Sequence, residues 1–255
     1  MLNLLAFMLR DLLRNRTVLA YAGLLLLLTT GLWWLDPAPE RLALNLVNVT
    51  LLFVPLYTVI FTITYYHSSR DFTELLVVLP LPRRAVLLGQ LGAVLLALSG
   101  ALLLGLGLPL LLLAASWRTL TLVLTGVGLT WVFVALSYAL VLFVPEKIKS
   151  IGLGLAMWFA LAILYDGLVL ALLYWFSDYP VEAFVVPVAS LNPLDLARIV
   201  VLLQFDTAAL MGYTGAVYQD FFGSQLGMLI ASAVLLLWVA VPLVVAVRRF
   251  KRMDL

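Results

Sequence analysis

The chain has 255 residues, a net charge of +2 and no cysteine. Charged residues make up 11% of it and hydrophobic residues 65%, whereas about 25% of a soluble protein is charged. Too little polar surface remains to cover a soluble core, and the same composition excludes disordered, collagen-like and nucleic-acid-binding chains. The lack of cysteine excludes disulfides, thiolate metal sites and thiol nucleophiles. The composition therefore predicts a membrane protein.

Six apolar stretches are long enough to cross a bilayer as helices. About 20 apolar residues span about 30 Å of hydrocarbon, and leucine-rich runs without two-residue alternation favour helices over a barrel. The predicted spans are residues 18–35, 42–66, 85–117, 119–145, 150–177 and 221–247. The third run is longer than one crossing needs, so we expect it to tilt, bend or project. The fold class is an all-α integral membrane protein with a single transmembrane domain, residues 1–255.

Lysine and arginine are concentrated on one side of the predicted membrane. If the amino terminus is cytoplasmic, most of them fall in the inner segments and only Arg41, Arg118 and Arg198 fall in the outer ones. The positive-inside rule therefore predicts that both termini are cytoplasmic. The location that follows is the cytoplasmic (inner) membrane, with several crossings.

The segment before the first span, residues 2–16, carries its polar and apolar side chains largely on opposite helical faces. This pattern predicts an amphipathic elbow helix lying on the inner membrane surface. A simple cytoplasmic extension of the first span is the alternative.

The loop after the second span predicts a short helix over residues 70–80. Asp71 and Glu74 would lie in its first turn, where the helix dipole favours acidic side chains, and Pro80 would end it. The loop also has an apolar patch that contains Leu75, Leu76 and Leu79. Either a partner protein buries this patch, or the patch rests on lipid headgroups.

The segment before the sixth span, residues 178–220, is too long for a connection without structure of its own. Asn192 and Pro193 fit the N-cap and first position of a helix that continues to about Phe205, with Asp195 in its first turn. Tyr213 lies in a predicted turn further along.

Asp166 is the one charged residue within the predicted spans. An ionised carboxylate in a span costs about 2.5–3.5 kcal/mol, so it should face protein or water. Either it lines a substrate path or binds a proton, or it bonds to Tyr165 or Trp175 and fixes helix packing. A stripe of small residues beside it permits close helix approach; the stripe includes Gly152, Ala156 and Ala160.

Motifs for chemistry are missing from the sequence. It has no phosphate-binding loop and no zinc peptidase motif, and His67 is its only histidine. We therefore predict no enzyme activity, no metal site and no cofactor in this chain.

The region from residue 70 to residue 90 resembles the corresponding part of the ABC-2 type permeases. The residues that carry this resemblance are Arg70, Glu74, Leu75, Leu76, Pro80, Arg83, Arg84, Gly89 and Gln90. In such permeases the glycine is often followed by lysine, where this chain has Gln90. The resemblance implies a coupling helix that docks on a separate cytoplasmic ATPase, which binds ATP and Mg²⁺. The residues implied in that coupling are Arg70, Asp71, Glu74, Leu75, Leu76, Leu79 and Pro80.

A narrower likeness covers about residues 147–255 and includes Asp166, the Leu191-Asn192-Pro193 run, Asp195, Arg198 and the Gly212–Val217 stretch. Here the chain resembles the permease subunit of the transporter that matures the copper sites of nitrous oxide reductase in denitrification. The resemblance implies a homodimer, a cytoplasmic ATPase and a periplasmic β-helical accessory protein. Contacts with that accessory protein are expected from Asn192, Pro193, Asp195, Arg198 and Tyr213.

Three kinds of function remain open from the sequence. An ATP-driven permease would move a small sulfur-containing or copper-related species, or transmit movement to its periplasmic partner. A membrane scaffold or channel subunit outside the ABC class would work without nucleotide. An intramembrane enzyme lacks the catalytic groups that it would need.

Overall fold

The computed structural model describes residues 2–78, 82–175, 188, 191–204 and 225–251. Every regular element in these ranges is helical, and six helices are long and apolar enough to cross a membrane. This confirms the predicted all-α fold with six spans.

The spans are Arg16–Leu35, Pro39–Ser68, Arg84–Leu113, Trp117–Phe143, Lys147–Leu172 and Leu229–Lys251. Three further helices lie between or before them: the amino-terminal helix Leu2–Leu13, the loop helix Arg70–Val78 and the opposite-side helix Pro193–Leu203. The helix of the fifth span continues to Trp175, and that of the sixth begins at Gln225. Since the spans alternate, the first two of the further helices lie on the amino-terminal side of the membrane and the third lies on the opposite side.

Caps set the ends of several spans and move them from the predicted positions. Asn15 accepts a hydrogen bond from the Thr17 amide at 2.9 Å, so the first span begins at Arg16 instead of residue 18. Ser116 and Thr119 form a capping box, with the Thr119 amide donating to Ser116 Oγ at 3.2 Å. Trp117 therefore begins the fourth span, and its assignment to the end of the third was wrong.

Three of the spans contain a single π-helical turn: Val49–Phe53 in the second, Leu103–Gly107 in the third and Ala160–Leu164 in the fifth. Pro55 and Pro109 directly follow the first two turns. A proline ring clashes with the carbonyl four residues earlier, and a wider turn relieves that clash. The third run is therefore irregular, as its length and Pro109 predicted.

The second, third and fourth spans form the centre of the chain. In their most apolar stretches 61% of the residues are buried, against 6% in the fifth span. The fifth span packs mainly against the second. A Cβ on Gly154 would lie 2.9 Å from Val59 Cγ1 and even closer to Ile63 Cδ1, so glycine sets the close approach there.

Two of the shorter helices pack closely on the spans. The amino-terminal helix lies against the third span, where Leu4 reaches Gly89 and Leu5 reaches Gly92. The opposite-side helix packs on the fourth and sixth spans through its apolar face. Asn192 caps this helix and Pro193 takes its first position, which confirms the predicted start, although the helix ends at Leu203 and not near residue 205.

Candidate functional site

The loop helix Arg70–Val78 presents one face to the spans and the other to solvent. Thr73 and Leu76 are buried, with 4% and 8% of their surface exposed. Leu75 is 70% exposed and Phe72 is 39% exposed. These two apolar side chains lie beyond the ends of the second and third spans, and nothing in the described chain covers Leu75.

The polar residues of this helix lie beside that exposed apolar surface. Arg70 Nε donates to Glu74 Oε1 at 2.9 Å, and Asp71 is exposed. Such a surface ion pair contributes at most about 1 kcal/mol to the free energy of unfolding, so it adds little to stability.

Ser69 connects the loop helix to the second and third spans. Its hydroxyl donates to the Tyr65 carbonyl at 2.9 Å and accepts from the side-chain amide of Gln90. The Thr73 hydroxyl, in the loop helix, donates a hydrogen bond to the Ser69 backbone carbonyl at 2.8 Å. The buried Gln90 thus holds the start of the loop helix on the third span.

Two further contacts extend these connections to other elements. His67 Nε2 lies 2.8 Å from Ser150 Oγ, which joins the end of the second span to the start of the fifth. The Phe7 ring of the amino-terminal helix lies 6.1 Å from the Phe72 ring, between centroids. A displacement of the loop helix would therefore reach the second, third and fifth spans and the amino-terminal helix together.

On the opposite side, the ionic cluster of Asp166, Asp195 and Arg198 joins the fifth span to the opposite-side helix. Arg198 Nη1 donates to Asp166 Oδ2 at 2.7 Å and to Asp195 Oδ1 at 3.4 Å. One of the two interpretations of Asp166 paired it with Tyr165 or Trp175. In the structure its partner is Arg198, while the Tyr165 hydroxyl donates to the Val188 carbonyl.

Asn192 makes a second connection between these two elements. Its Nδ2 donates to the Leu161 carbonyl at 2.7 Å, within the π-helical turn of the fifth span. Its Oδ1 accepts from the Leu194 amide at 3.0 Å and so caps the opposite-side helix. One buried side chain therefore satisfies both a π-turn carbonyl and a helix terminus.

Burial and the nearby Asp166 carboxylate raise the pKa of Asp195 to about 7, with burial as the larger cause. Arg198 and Asn192 act in the opposite direction but do not offset this increase. Asp195 therefore changes its charge near neutral pH.

An open groove of about 480 Å³ lies beside the ionic cluster, between the second and fifth spans. Its walls are apolar apart from Asp166 and Arg198 at one end. The residues that line it are Leu52, Phe53, Leu56, Trp158, Ala162, Ile163, Asp166 and Arg198.

The other predicted site residues are placed as follows. Gly152, Ala156 and Ala160 are exposed on the fifth span, and a Cβ on Gly152 would meet nothing within 4 Å. Asn192 and Pro193 are buried within the chain, so their predicted contact with an accessory protein stays a prediction. Leu79, Pro80 and Tyr213 lie outside the described residues.

Sequence reasoning missed several of the contacts that build these sites. His67 was noted only as the single histidine of the sequence, and Ser69 and Ser150 were not singled out for a role. Arg198 was named as a partner contact and not as the counter-ion of Asp166. Among the described residues no group of three or more His, Cys, Asp or Glu could hold a metal ion.

The six spans define a multi-pass membrane protein, and the loop helix gives it an anchored, partly exposed apolar face on the amino-terminal side. Two curated proteins are similar to the chain, and each is described as a probable ABC transporter permease protein NosY. The one from Stutzerimonas stutzeri is 29% identical over 272 aligned positions, covering 96% of this chain and 95% of that protein. The one from Pseudomonas aeruginosa is 30% identical over 226 positions, covering 80% and 82%. No protein-family model matches the chain. The chain belongs to the ABC transporter permeases and resembles those called NosY.

Proposed function

We propose that the chain is the membrane subunit of an ATP-driven transporter that serves the maturation of nitrous oxide reductase, a periplasmic copper enzyme. The ATPase is a separate cytoplasmic subunit, because the sequence of this chain has no phosphate-binding loop. Either a small sulfur-containing or copper-related species crosses the membrane, or the movement itself is passed to a periplasmic β-helical protein.

The observation that carries this proposal is the loop helix with its exposed Phe72 and Leu75. A solvated loop gains nothing by exposing a leucine, whereas a docking surface gains about 25 cal/mol for each Å² of apolar area that the partner covers. The helix is also anchored through Ser69 and Gln90, so a force applied to it is passed on to the spans.

The proposed mechanism starts when the ATPase binds nucleotide and moves against Leu75. Ser69 transmits the displacement to the third span, and the continuous end of the second span transmits it through His67 to Ser150 of the fifth. The fifth span can then shift relative to the centre, because few of its residues are buried against the rest of the chain.

The exposed fifth span also supports the proposed homodimer. Gly152, Ala156 and Ala160 present a small-residue surface that no other described part of the chain covers. Small residues permit the close helix approach on which association within a membrane depends. The second protomer would then complete a path between the two fifth spans.

The orientation with both termini in the cytoplasm follows from the basic residues on the amino-terminal side. Arg10, Arg14 and Arg84 are exposed there, together with Lys147 and Lys149. In this orientation the loop helix meets the cytoplasmic ATPase, and the ionic cluster faces the periplasm.

The experiment compares Leu75→Asp with Leu75→Met in the complete transporter. We expect the aspartate variant to lose binding of the ATPase, and the cells that carry it to produce nitrous oxide reductase without its copper sites. The methionine variant keeps an apolar side chain of similar volume and should retain both functions.

Reductase maturation and ATPase binding are measured separately, by the copper content of the purified enzyme and by co-purification. If Leu75→Asp matures the reductase as well as the natural chain does, the coupling role is wrong. If deletion of the gene leaves the copper sites intact, although the ATPase co-purifies with the natural chain, the proposed role in reductase maturation is wrong and the transporter serves another substrate.

A further inference from the structure

The ionic cluster has two carboxylates for one guanidinium. Asp166 belongs to the fifth span, whereas Asp195 and Arg198 belong to the opposite-side helix. The same nitrogen, Arg198 Nη1, serves both carboxylates and lies closer to Asp166, at 2.7 Å against 3.4 Å. When both carboxylates are ionised, the cluster therefore keeps a net negative charge, and no other base of the described residues makes an ion pair with it.

The burial of Asp195 makes that charge costly, although the side chains of Asp166 and Arg198 are 34% and 30% exposed. Only 9% of the surface of Asp195 is exposed, and an unpaired ionised carboxylate is unfavourable in such surroundings. Two nearby carboxyl groups relieve the repulsion when they share one proton.

The helix of Asp195 packs against the second, fourth, fifth and sixth spans, and the turn of the second span that it contacts, Val49–Phe53, has no titratable residue. Asp166 and Tyr165 face it from the fifth span, and Arg198 faces it from its own helix. The sixth span has no titratable residue between residues 225 and 247. Arg118 of the fourth span pairs with Glu40 of the second at 2.9 Å. No further described group supplies the missing positive charge.

The two connections between the opposite-side helix and the fifth span differ in chemistry. Asn192 holds the beginning of the helix through neutral hydrogen bonds, which do not depend on pH in this range. The ionic cluster lies one turn further on and depends on charge. Loss of the second connection alone would leave the helix able to pivot about Asn192.

We propose that Asp166, Asp195 and Arg198 form a proton-binding switch: one shared proton holds the opposite-side helix against the fifth span, and loss of that proton releases it. The π-helical turn at Ala160–Leu164 gives the fifth span a site at which it can bend when the helix is released. The raised pKa of Asp195 places the transition near neutral pH. This switch acts within the chain, so it does not depend on the identity of the cargo.

The test uses the absence of cysteine from the natural chain, because a single introduced cysteine is then the only thiol. Val201→Cys reports opening, since Val201 is fully buried and lies about one turn beyond Arg198 on the helix. Leu191→Cys is the matched reference, because Leu191 is 64% exposed and precedes the pivot. The ratio of their maleimide labelling rates removes the intrinsic effect of pH on thiol reactivity.

We expect this ratio to rise several-fold between about pH 5 and about pH 8. The rise is at most about tenfold per pH unit, because one proton is linked to the opening. Asp195→Asn imitates the protonated side chain and should keep the ratio low at both pH values. Asp166→Asn leaves one carboxylate for one guanidinium and should also remove the rise.

A ratio that does not change with pH in the natural cluster overturns the proposal. So does a rise of the same size in a folded Asp195→Asn chain. If that variant does not fold, Asp166→Asn is the decisive variant. A labelling ratio that still rises by the same amount in Asp166→Asn also overturns the proposal.

Discussion

At the residue scale, glycine and the caps determine how closely the helices of this permease approach each other. Gly105 lies in the π-helical turn of the third span and faces the first span. A Cβ there would lie close to the Ala22 carbonyl oxygen and 2.8 Å from Leu25 Cβ. Backbone atoms cannot rotate away as a flexible side chain can, so alanine would force the two spans apart.

Gly105→Ala should therefore lower the free energy of unfolding by about 1–3 kcal/mol, the usual cost of overpacking. Gly100→Ala is the matched control, because a Cβ at Gly100 meets nothing within 4 Å. Thermal unfolding in detergent measures both variants. Equal melting temperatures for the two would contradict the close contact between the first and third spans.

The contribution of Asn192 to the stability of the chain can be measured with a single substitution. Asn192→Ala removes the cap of the opposite-side helix and the donor to the Leu161 carbonyl. We therefore expect the free energy of unfolding to fall by about 1–3 kcal/mol. Asn15→Ala removes only a cap, at a more exposed position, and should cost about 1 kcal/mol or less. A smaller loss at Asn192 than at Asn15 would show that the Leu161 contact contributes nothing.

At the element scale, the sequence predicted the existence of the helices better than their ends and contacts. Asn192-Pro193 is a local signal, so the start of the opposite-side helix was predictable. The pairing of Asp166 with Arg198 was not, because it joins residues 32 positions apart through the packing of two helices. The connection between His67 and Ser150 was hidden for the same reason.

The attachment of the opposite-side helix predicts how stability depends on pH. The pKa of Asp195 is raised from its ordinary value near 4 to about 7. The folded chain therefore keeps a proton that the unfolded chain releases between these values. The stabilisation of the folded chain by this proton is complete below about pH 4 and is lost as the pH rises to about 7.

We expect the melting temperature of the natural chain, relative to that of Asp195→Asn, to fall as the pH rises through this range. Glu146→Gln is the control, because Glu146 lies in an exposed pair with Lys149. A relative melting temperature that rises with pH would mean that Asp195 is stabilised as a carboxylate.

At the scale of the whole molecule, the chain has a well-buried centre and a margin that packs against it less extensively. The second, third and fourth spans supply the centre, and the fifth contacts it mainly through the second. The loop helix is attached to this arrangement at Ser69, so movement applied on one side of the membrane has a connected route to the other. The lengths and positions of the apolar runs predicted the six spans, but this route depends on tertiary contacts that no local pattern shows.

The most direct measurement of that account is site-specific crosslinking between this chain and its ATPase. Leu75→Cys places the only thiol of the chain on the exposed face of the loop helix, and Leu112→Cys places it on the opposite side of the membrane, where Leu112 is 77% exposed. The account predicts a crosslink to the nucleotide-hydrolysing subunit from position 75 and none from position 112. No crosslink from position 75 in an assembled, active complex would contradict it.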